Sequence, residues 1–430
     1  MVVNSMSYAT YDSYKESGVD WLGKIPSDWD LQPAFKYIKE NKTKNTGLLE
    51  NTVLSLSYGK IIIKPEEKLT GLVPESFETY QIVEPNDIII RCTDLQNDKV
   101  SLRTGLVENR GIITSAYLGL KVFQNYNSKF LHYYLHSLDI TKAIYKFGTG
   151  LRQNLSFLDF KRLPLVDISL DLQQKIANFL DQKTAQIDQA IALKQQQIEK
   201  INEYKQIVIQ NAVTKGLNPN APMKDSGVEW IGDIPEHWQM KRLKYVLDER
   251  NERSKTGEEP LFMVSQKYGL VVRADYHEKA EVAQSNIDNK IVYKNDLVFN
   301  KLKPHLGVFY KSEIDFKGLV SPDYAVYKVK NYIYDMKYLE LLFRNPKYIE
   351  QFIIRATGIV EGLIRLYTAS LFELPVMIPP KEEQKAILNF VKKENNKIDI
   401  SQQNLEKQID RLKEYKNILI NQAVTGKIKI

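Results

Sequence analysis

The chain has 430 residues, 43% of them hydrophobic and 26% charged, with a formal net charge of +7. That length asks for two or more domains, and that balance is the one of a soluble globular protein. Its longest apolar runs, such as Ile88-Ile89-Ile90, fall far short of the roughly 20 residues that cross a bilayer, and its single cysteine, Cys92, excludes a disulfide framework or a cysteine-based zinc cage.

The opening residues, MVVNSMSYATYDSY, have no apolar core of the kind a signal peptide needs, so the expectation is a cytoplasmic protein. A pI near 8.9 favours polyanionic partners, though only weakly. The first recognisable feature is the phrase KESGVDWLGKIPSDW at residues 15–29. It returns as KDSGVEWIGDIPEHW at 224–238, with nine identities in fifteen positions at an offset of 209. Chance does not produce this.

The correspondence continues down the chain. Tyr58-Gly59 matches Tyr268-Gly269, Asn86-Asp87 matches Asn295-Asp296, and GIITSAYLGLKV (111–122) matches GLVSPDYAVYKV (318–329). GTGLRQNLSFLDFKRLPL (148–165) parallels ATGIVEGLIRLYTASLFELPV (356–376), and EYKQIVIQNAVTKG (203–216) parallels EYKNILINQAVTGK (414–427). A period of about 210 residues is too long for a solenoid. It marks a duplicated unit, and duplication predicts a pseudo-two-fold molecule.

Within each unit the order is the same. Short β-branched runs broken by Gly and Pro, such as NTVLSLSYGKIIIK, DIIIR and GIITSAYLGLKVF, predict strands and turns. Short helices follow around SKFLHYYLHSL and MKYLELLFRN, so each unit opens with a globular α+β domain. Then the character changes. From Leu172 to Thr214 there is no Gly or Pro, and apolar residues fall at Ile176, Phe179/Leu180, Ile187, Ile191, Ile198, Ile201, Tyr204 and Val208. The second copy places them at Ile387, Phe390/Val391, Ile398, Leu405, Ile409, Leu412, Tyr415 and Leu419. Spacings of three, four and seven predict long helices with a heptad tendency. A helix with one apolar stripe needs a partner, and the other copy is the obvious one. The expected architecture is α+β, with two globular domains separated by two long antiparallel helices forming a coiled-coil-like spacer. Its divisions are 1–168, 169–216, 217–379 and 380–430.

Catalytic motifs are missing from the sequence. Adenine methylation needs a Gly-rich cofactor loop and an Asn/Asp-Pro-Pro-aromatic loop to grip the base; Asn218-Pro219 and Asn345-Pro346 are followed by Asn and Lys. A nucleotide-driven motor needs GxxxxGK[ST], which is not found. Asp323 has lysines nearby but no second acid at a nuclease spacing, and His132 and His136, four apart on a predicted helix, are more simply packing residues than metal ligands. What remains is two binding domains on a spacer, which suits a target with two separated parts, such as a bipartite site on duplex DNA.

SGVDWLGKIPSDW and SGVEWIGDIPEHW, the helix openings LQQKIANFLDQKTAQID and KEEQKAILNFVKKENNKID, the endings NAVTKG and QAVTGK, and NKLKPHLGVFY with GLVSPDYAVYKV together resemble the specificity subunits of type I restriction–modification systems. The resemblance covers essentially the whole chain. It implies two target-recognition domains, each binding one half of an asymmetric, gapped site in double-stranded DNA. It implies that the helices set the gap and dock two copies of the methyltransferase subunit, and that restriction (translocase–nuclease) subunits can join. S-adenosylmethionine, ATP and Mg would belong to those partners, with no cofactor or metal in this chain and no enzyme activity of its own. One departure is DLQQ at the first helix, where EEQ is usual.

Base reading needs Arg, Lys, Asn, Gln or hydroxyls on loops that reach a groove. The candidates in the first domain are Tyr58 and Lys60, then Arg91, Gln96, Asn97, Lys99 and Arg103, then Arg152, Gln153 and Asn154. In the second they are Gln266, Lys267 and Tyr268, then Asn300, Lys301, Lys303 and His305, then Arg365 and Tyr367. Any one of them alone reads equally well as a solvated loop residue. The two sets differ, so the two half-sites are expected to differ. A DNA-binding regulator acting alone is the rival; the helical surface left over after pairing favours partners instead.

Overall fold

The computed structural model describes residues 8–65, 76–93, 102–144, 155–266, 268–276, 285–358 and 364–430. The chain forms two compact units, Met1–Gln195 together with Glu406–Ile430, and Gln196–Leu405. Each divides the long helices part-way along rather than at their ends.

In the first unit four antiparallel strands lie in the order Ile38–Glu40, Leu118–Val122, Ile88–Ile90, Thr104–Leu106. Ile88, Ile89 and Ile90 are all fully buried because the sheet is covered on both faces. Ile88 and Ile90 join Leu118, Leu120 and the helix Ser128–Ile140 in the main core, while Ile89 turns the other way onto Leu54, Val83 and Ile113. This is the period-two alternation of a strand. The second unit repeats the scheme with Leu247–Glu249, Tyr324–Val329, Leu297–Asn300 and Phe309–Lys311. There Leu297 and Phe299 face the main core and Val298 faces Phe262, Val292 and Val320.

The turn before each central strand explains the matching Asn-Asp pairs. Asn86 and Asn295 have φ of +75° and +67°, which Asn tolerates better than most residues. The following carboxylates, Asp87 and Asp296, accept the N–H of Glu84 and of Tyr293, both at 2.9 Å.

The duplicated phrase folds identically in both places. Ser17 Oγ accepts the Val19 N–H at 3.1 Å and Ser226 Oγ accepts that of Val228 at 3.2 Å, and each phrase closes a small hairpin, Tyr14–Glu16 with Lys24–Pro26 and Met223–Asp225 with Asp233–Pro235. Each ends in a fully buried tryptophan. Trp29 packs in the core that holds Leu419, Ile420, Ala423 and Val424 of the second long helix, and Lys427 Nζ donates to the carbonyls of Leu22, at 2.9 Å, and Lys24. Trp238 shares its core with Ala212 and Val213 of the first long helix. The phrase is thus a clamp between a domain and the end of a long helix.

The long helices run Leu170–Lys215 and Lys381–Val424. Each opens with a buried glutamine that folds back on the chain: Gln173 Nε2 donates to Ile168 O at 2.9 Å and Gln384 Nε2 to Pro379 O at 2.8 Å. Their other ends of the amide accept the N–H of Asn127 and of Tyr334, tying each helix start to its domain. The helices pack antiparallel. In the first unit Asp188 pairs with Lys416 at 2.7 Å and Lys194 with Gln408 at 2.6 Å; in the second, Asn202 meets Gln402 at 2.6 Å and Lys205 meets Asp399 at 2.8 Å. Ile176, Leu180, Ile187 and Ile409 are buried in the first unit, and Ile198, Ile387, Val391 and Ile398 in the second. Tyr204, counted in the stripe on spacing, is instead 55% exposed. No helix among the described residues is long and apolar enough to cross a membrane.

Candidate nucleic-acid interface

In the first unit the candidate residues come from a hairpin and from the ends of two neighbouring strands. The hairpin pairs Leu54–Ser57 with Lys60–Ile63 across a two-residue turn, Tyr58-Gly59. Both turn residues have positive φ, +47° and +77°, the demand of a type I′ turn, whose twist matches that of the strands. For a tyrosine this is an unfavourable backbone state. Its side chain gains nothing from the fold, being 93% exposed. An outlier of this kind motivates a functional role. Lys60 is exposed beside it. The turn rests on Leu102: a Cβ on Gly59 would lie 3.1 Å from that side chain.

Arg91 stands at the end of the central strand, half-buried, with its N–H on Arg103 O at 2.8 Å. Arg103 itself is not a solvent-facing reader. It is fully buried, its guanidinium donates to the carbonyls of Thr93 at 2.8 Å and Arg91 at 3.3 Å, and its N–H is held by the Asp139 carboxylate at 2.5 Å. A guanidinium can be buried when carbonyls accept its N–H groups. Arg103 therefore staples the two strand ends together. Gln96, Asn97, Lys99, Arg152, Gln153 and Asn154 lie outside the described residues, as does Lys267 in the second unit.

In the second unit the hairpin Phe262–Ser265 with Gly269–Val272 carries a three-residue loop. Gln266 and Tyr268 are exposed, and the Tyr268 ring lies 4.7 Å from that of Tyr276, tilted by 35°, a residue which the sequence did not single out. At the strand end Lys303 and His305 are exposed, while Asn300 Oδ1 is occupied by the Leu302 N–H at 3.0 Å. Lys301 is half-buried; burial lowers its pKa, with Lys290 adding repulsion. Arg365 is brought to the same place, because Leu366 N–H donates to Lys301 O at 3.0 Å. Arg365 pairs with Asp323 at 2.6 Å, and its guanidinium lies 5.9 Å from the ring of Tyr367, which is exposed. Asp323 thus orients an arginine.

The same joint occurs in the first unit, where Leu155 N–H donates to Cys92 O at 3.0 Å. In each unit one backbone bond therefore joins the strand-end loop to the loop before the last strand. Hairpin tip, strand-end loop and that third segment are the common frame; the side chains displayed on it differ.

His132 and His136 line an open cleft of about 610 Å³ under the first hairpin, with Lys129, Tyr133, Asp181 and Lys416 also on its walls. Burial lowers their pKa values to about 4 and about 3, so both imidazoles are neutral at pH 7. Of the cations on its walls, Lys129 pairs with Asp181 and Lys416 with Asp188, while Lys60 of the hairpin also lines the cleft. No cluster of three potential metal ligands occurs among the described residues.

Residues 235–411 match the family of the type I restriction modification DNA specificity domain. The chain is 23% identical over 95% of its length to the type I restriction enzyme MjaVIII specificity subunit of Methanocaldococcus jannaschii, covering 94% of that protein. It is also 23% identical, over 95% of its length and 96% of the other, to the putative MjaX specificity subunit of the same organism. A solved chain described for complex assembly and conformational transition of the type I R-M system superposes with a TM-score of 0.63 at 13% identity, covering 93% of this chain and 98% of that one. The HsdS subunit of Thermoanaerobacter tengcongensis gives 0.52 at 13% identity, covering 94% and 98%. The fold is shared with these solved chains, and the matched domain is a DNA specificity domain. Along nearly its whole length the chain resembles specificity subunits of type I restriction–modification systems, and residues 235–411 carry their DNA specificity domain.

Proposed function

We propose that the chain is the non-catalytic reader of a type I complex, each unit binding one half of a two-part site in duplex DNA. The observation that carries this is the frame itself. Hairpin tip, strand-end loop and third segment recur in both units, yet Tyr58-Gly59 stands against Gln266-Lys267-Tyr268, and Arg91 against Asn300. Equal frames with unequal side chains suit two unlike half-sites.

The long helices then set the gap and dock two methyltransferase subunits, with restriction subunits able to join. Leu193 and Ile418 in the first unit, and Tyr204, Ile207 and Ile400 in the second, leave apolar surface on the helices uncovered, which supports protein partners there. Adenine methylation, ATP hydrolysis and cleavage, with S-adenosylmethionine, ATP and Mg, fall to those partners in the cytoplasm. The deciding experiment maps methylated adenines genome-wide in cells with and without this chain. A gapped motif with two unlike halves that vanishes on deletion is the expected result. A palindromic motif, or methylation that persists without the chain, refutes the proposal.

A further inference from the structure

The strand that ends each reading loop passes directly under the hairpin, and one position on it differs sharply between the units. In the first unit Gly105 pairs with Ile89; in the second, Tyr310 pairs with Val298, the counterpart of Ile89. Gly105 lets the hairpin sit down on the sheet: a Cβ there would lie 2.7 Å from Leu56 Cδ1 and 2.9 Å from Ile61 Cδ1, both hairpin residues. Tyr310 does the opposite. Its ring fills that space, only 3.5 Å from where a Cβ on Gly269 would be, and its hydroxyl donates to the carbonyl of Gln266 in the hairpin loop at 3.1 Å.

Tyr310 is itself braced. The Arg344 guanidinium lies 5.2 Å from its ring, and Arg344 is held by the buried Glu340 at 2.8 Å. Glu340 also accepts the backbone N–H of Lys311, next to Tyr310, at 3.0 Å. A buried carboxylate, an arginine and a tyrosine thus connect the domain core to the loop that displays Gln266 and Tyr268.

We propose that the position under the hairpin, Tyr310 in one unit and Gly105 in the other, determines specificity by setting the height and register of the hairpin tip. Neither residue touches DNA; each is a positioning residue. This rests on the function proposed above.

The test selects bound sequences from a randomised duplex library, using the full chain purified with its methyltransferase partner. The wild type is expected to enrich two separated blocks. Tyr268→Ala identifies the block read by the second unit. Tyr310→Phe, which keeps the ring and the Arg344 contact but removes the tether, should weaken base preference in that same block by about tenfold, the worth of one hydrogen bond. It should leave the other block unchanged, whereas a merely structural role, loosening the fold as a whole, would lower affinity without altering base preference in one block. Gly105→Ala should disturb only the other block. If Tyr310→Phe does not fold, Arg344→Met tests the same brace, since Glu340 keeps Lys337 and the Lys311 N–H. Unaltered preferences in Tyr310→Phe, with Tyr268→Ala still erasing its block, overturn the inference and leave the function intact. A wild type that enriches no two-block motif overturns the function and this inference with it.

Discussion

The indole N–H of Trp238 donates to the Glu383 carboxylate at 3.0 Å, while its counterpart Trp29, equally buried, has no partner for its indole nitrogen among the described residues. The cause is one substitution in the repeat. Glu383 precedes the buried Gln384, and the residue preceding the matching Gln173 is Leu172.

Glu383→Leu therefore copies the first joint into the second. It leaves the Trp238 donor buried and unpaired and removes the bond to His237 at 2.6 Å. The expected loss is about 1–3 kcal/mol, the cost of an unsatisfied buried donor, read as a lower urea midpoint at unchanged slope.

The two glycines that follow the long helices should differ in tolerance. Gly426 has φ +71°, and a Cβ there would meet Pro26 at 2.4 and 2.6 Å and the Trp29 ring at 3.0 Å. Gly216 has φ +75°, but its nearest neighbour is the movable end of Glu383 at 2.7 Å. Alanine in a left-handed state costs about 1 kcal/mol at either place. Gly426→Ala adds a clash with a rigid proline ring, so it should cost roughly 1–3 kcal/mol more than Gly216→Ala. Paired thermal melts compare them.

Tyr58→Asn should separate stability from function. Asn-Gly is the preferred type I′ turn, and Asn accepts positive φ more readily than Tyr. The variant should be more stable by about 0.5–1 kcal/mol. It should also bind the cognate duplex more weakly, measured by titration at fixed salt. Unchanged binding would remove Tyr58 from the interface.

His132 and His136 impose a pH dependence. Their pKa values in the fold, about 4 and about 3, lie below the value near 6.5 expected in the unfolded chain. The unfolded state therefore binds more protons between those limits, and stability rises with pH across them. Expressed the other way, it is lost as pH falls from about 6.5 toward 4. Unfolding midpoints measured across this window should show the slope, and replacing both histidines by Asn should flatten it. Asp181 nearby, which favours the charged His132, and Lys416, which disfavours a charged His136, pull in opposite directions.

Much of this was legible because the chain says it twice. The match of Asn86-Asp87 to Asn295-Asp296 marked equivalent positions that the fold makes into a shared turn, and the repeated Trp29 and Trp238 marked those that it makes into a shared joint. Arg103 was not legible. In a loop rich in Gln, Asn and Lys it has the look of a DNA contact, and only the fold brings Asp139 and two carbonyls around it. Tyr204 fits the helical spacing, but spacing does not tell a buried flank from an exposed one. Tyr310 stood unnoticed in an apolar strand, because its importance comes from Gln266, far from it in sequence. The DLQQ departure at the first helix was visible, but its consequence for Trp29 needed the coordinates.

The order of synthesis follows from the way the first unit is assembled. The second unit is one continuous stretch, Gln196–Leu405, whereas the first is completed by Glu406–Ile430. Leu419, Ile420, Ala423, Val424 and Ile428 fill the core around Trp29. On the ribosome the first unit must wait for residues made after the whole of the second, its apolar surface open meanwhile. A premature stop near codon 406 would leave the second unit whole and wreck the first, so a lesion in the late codons would be written in the half made early.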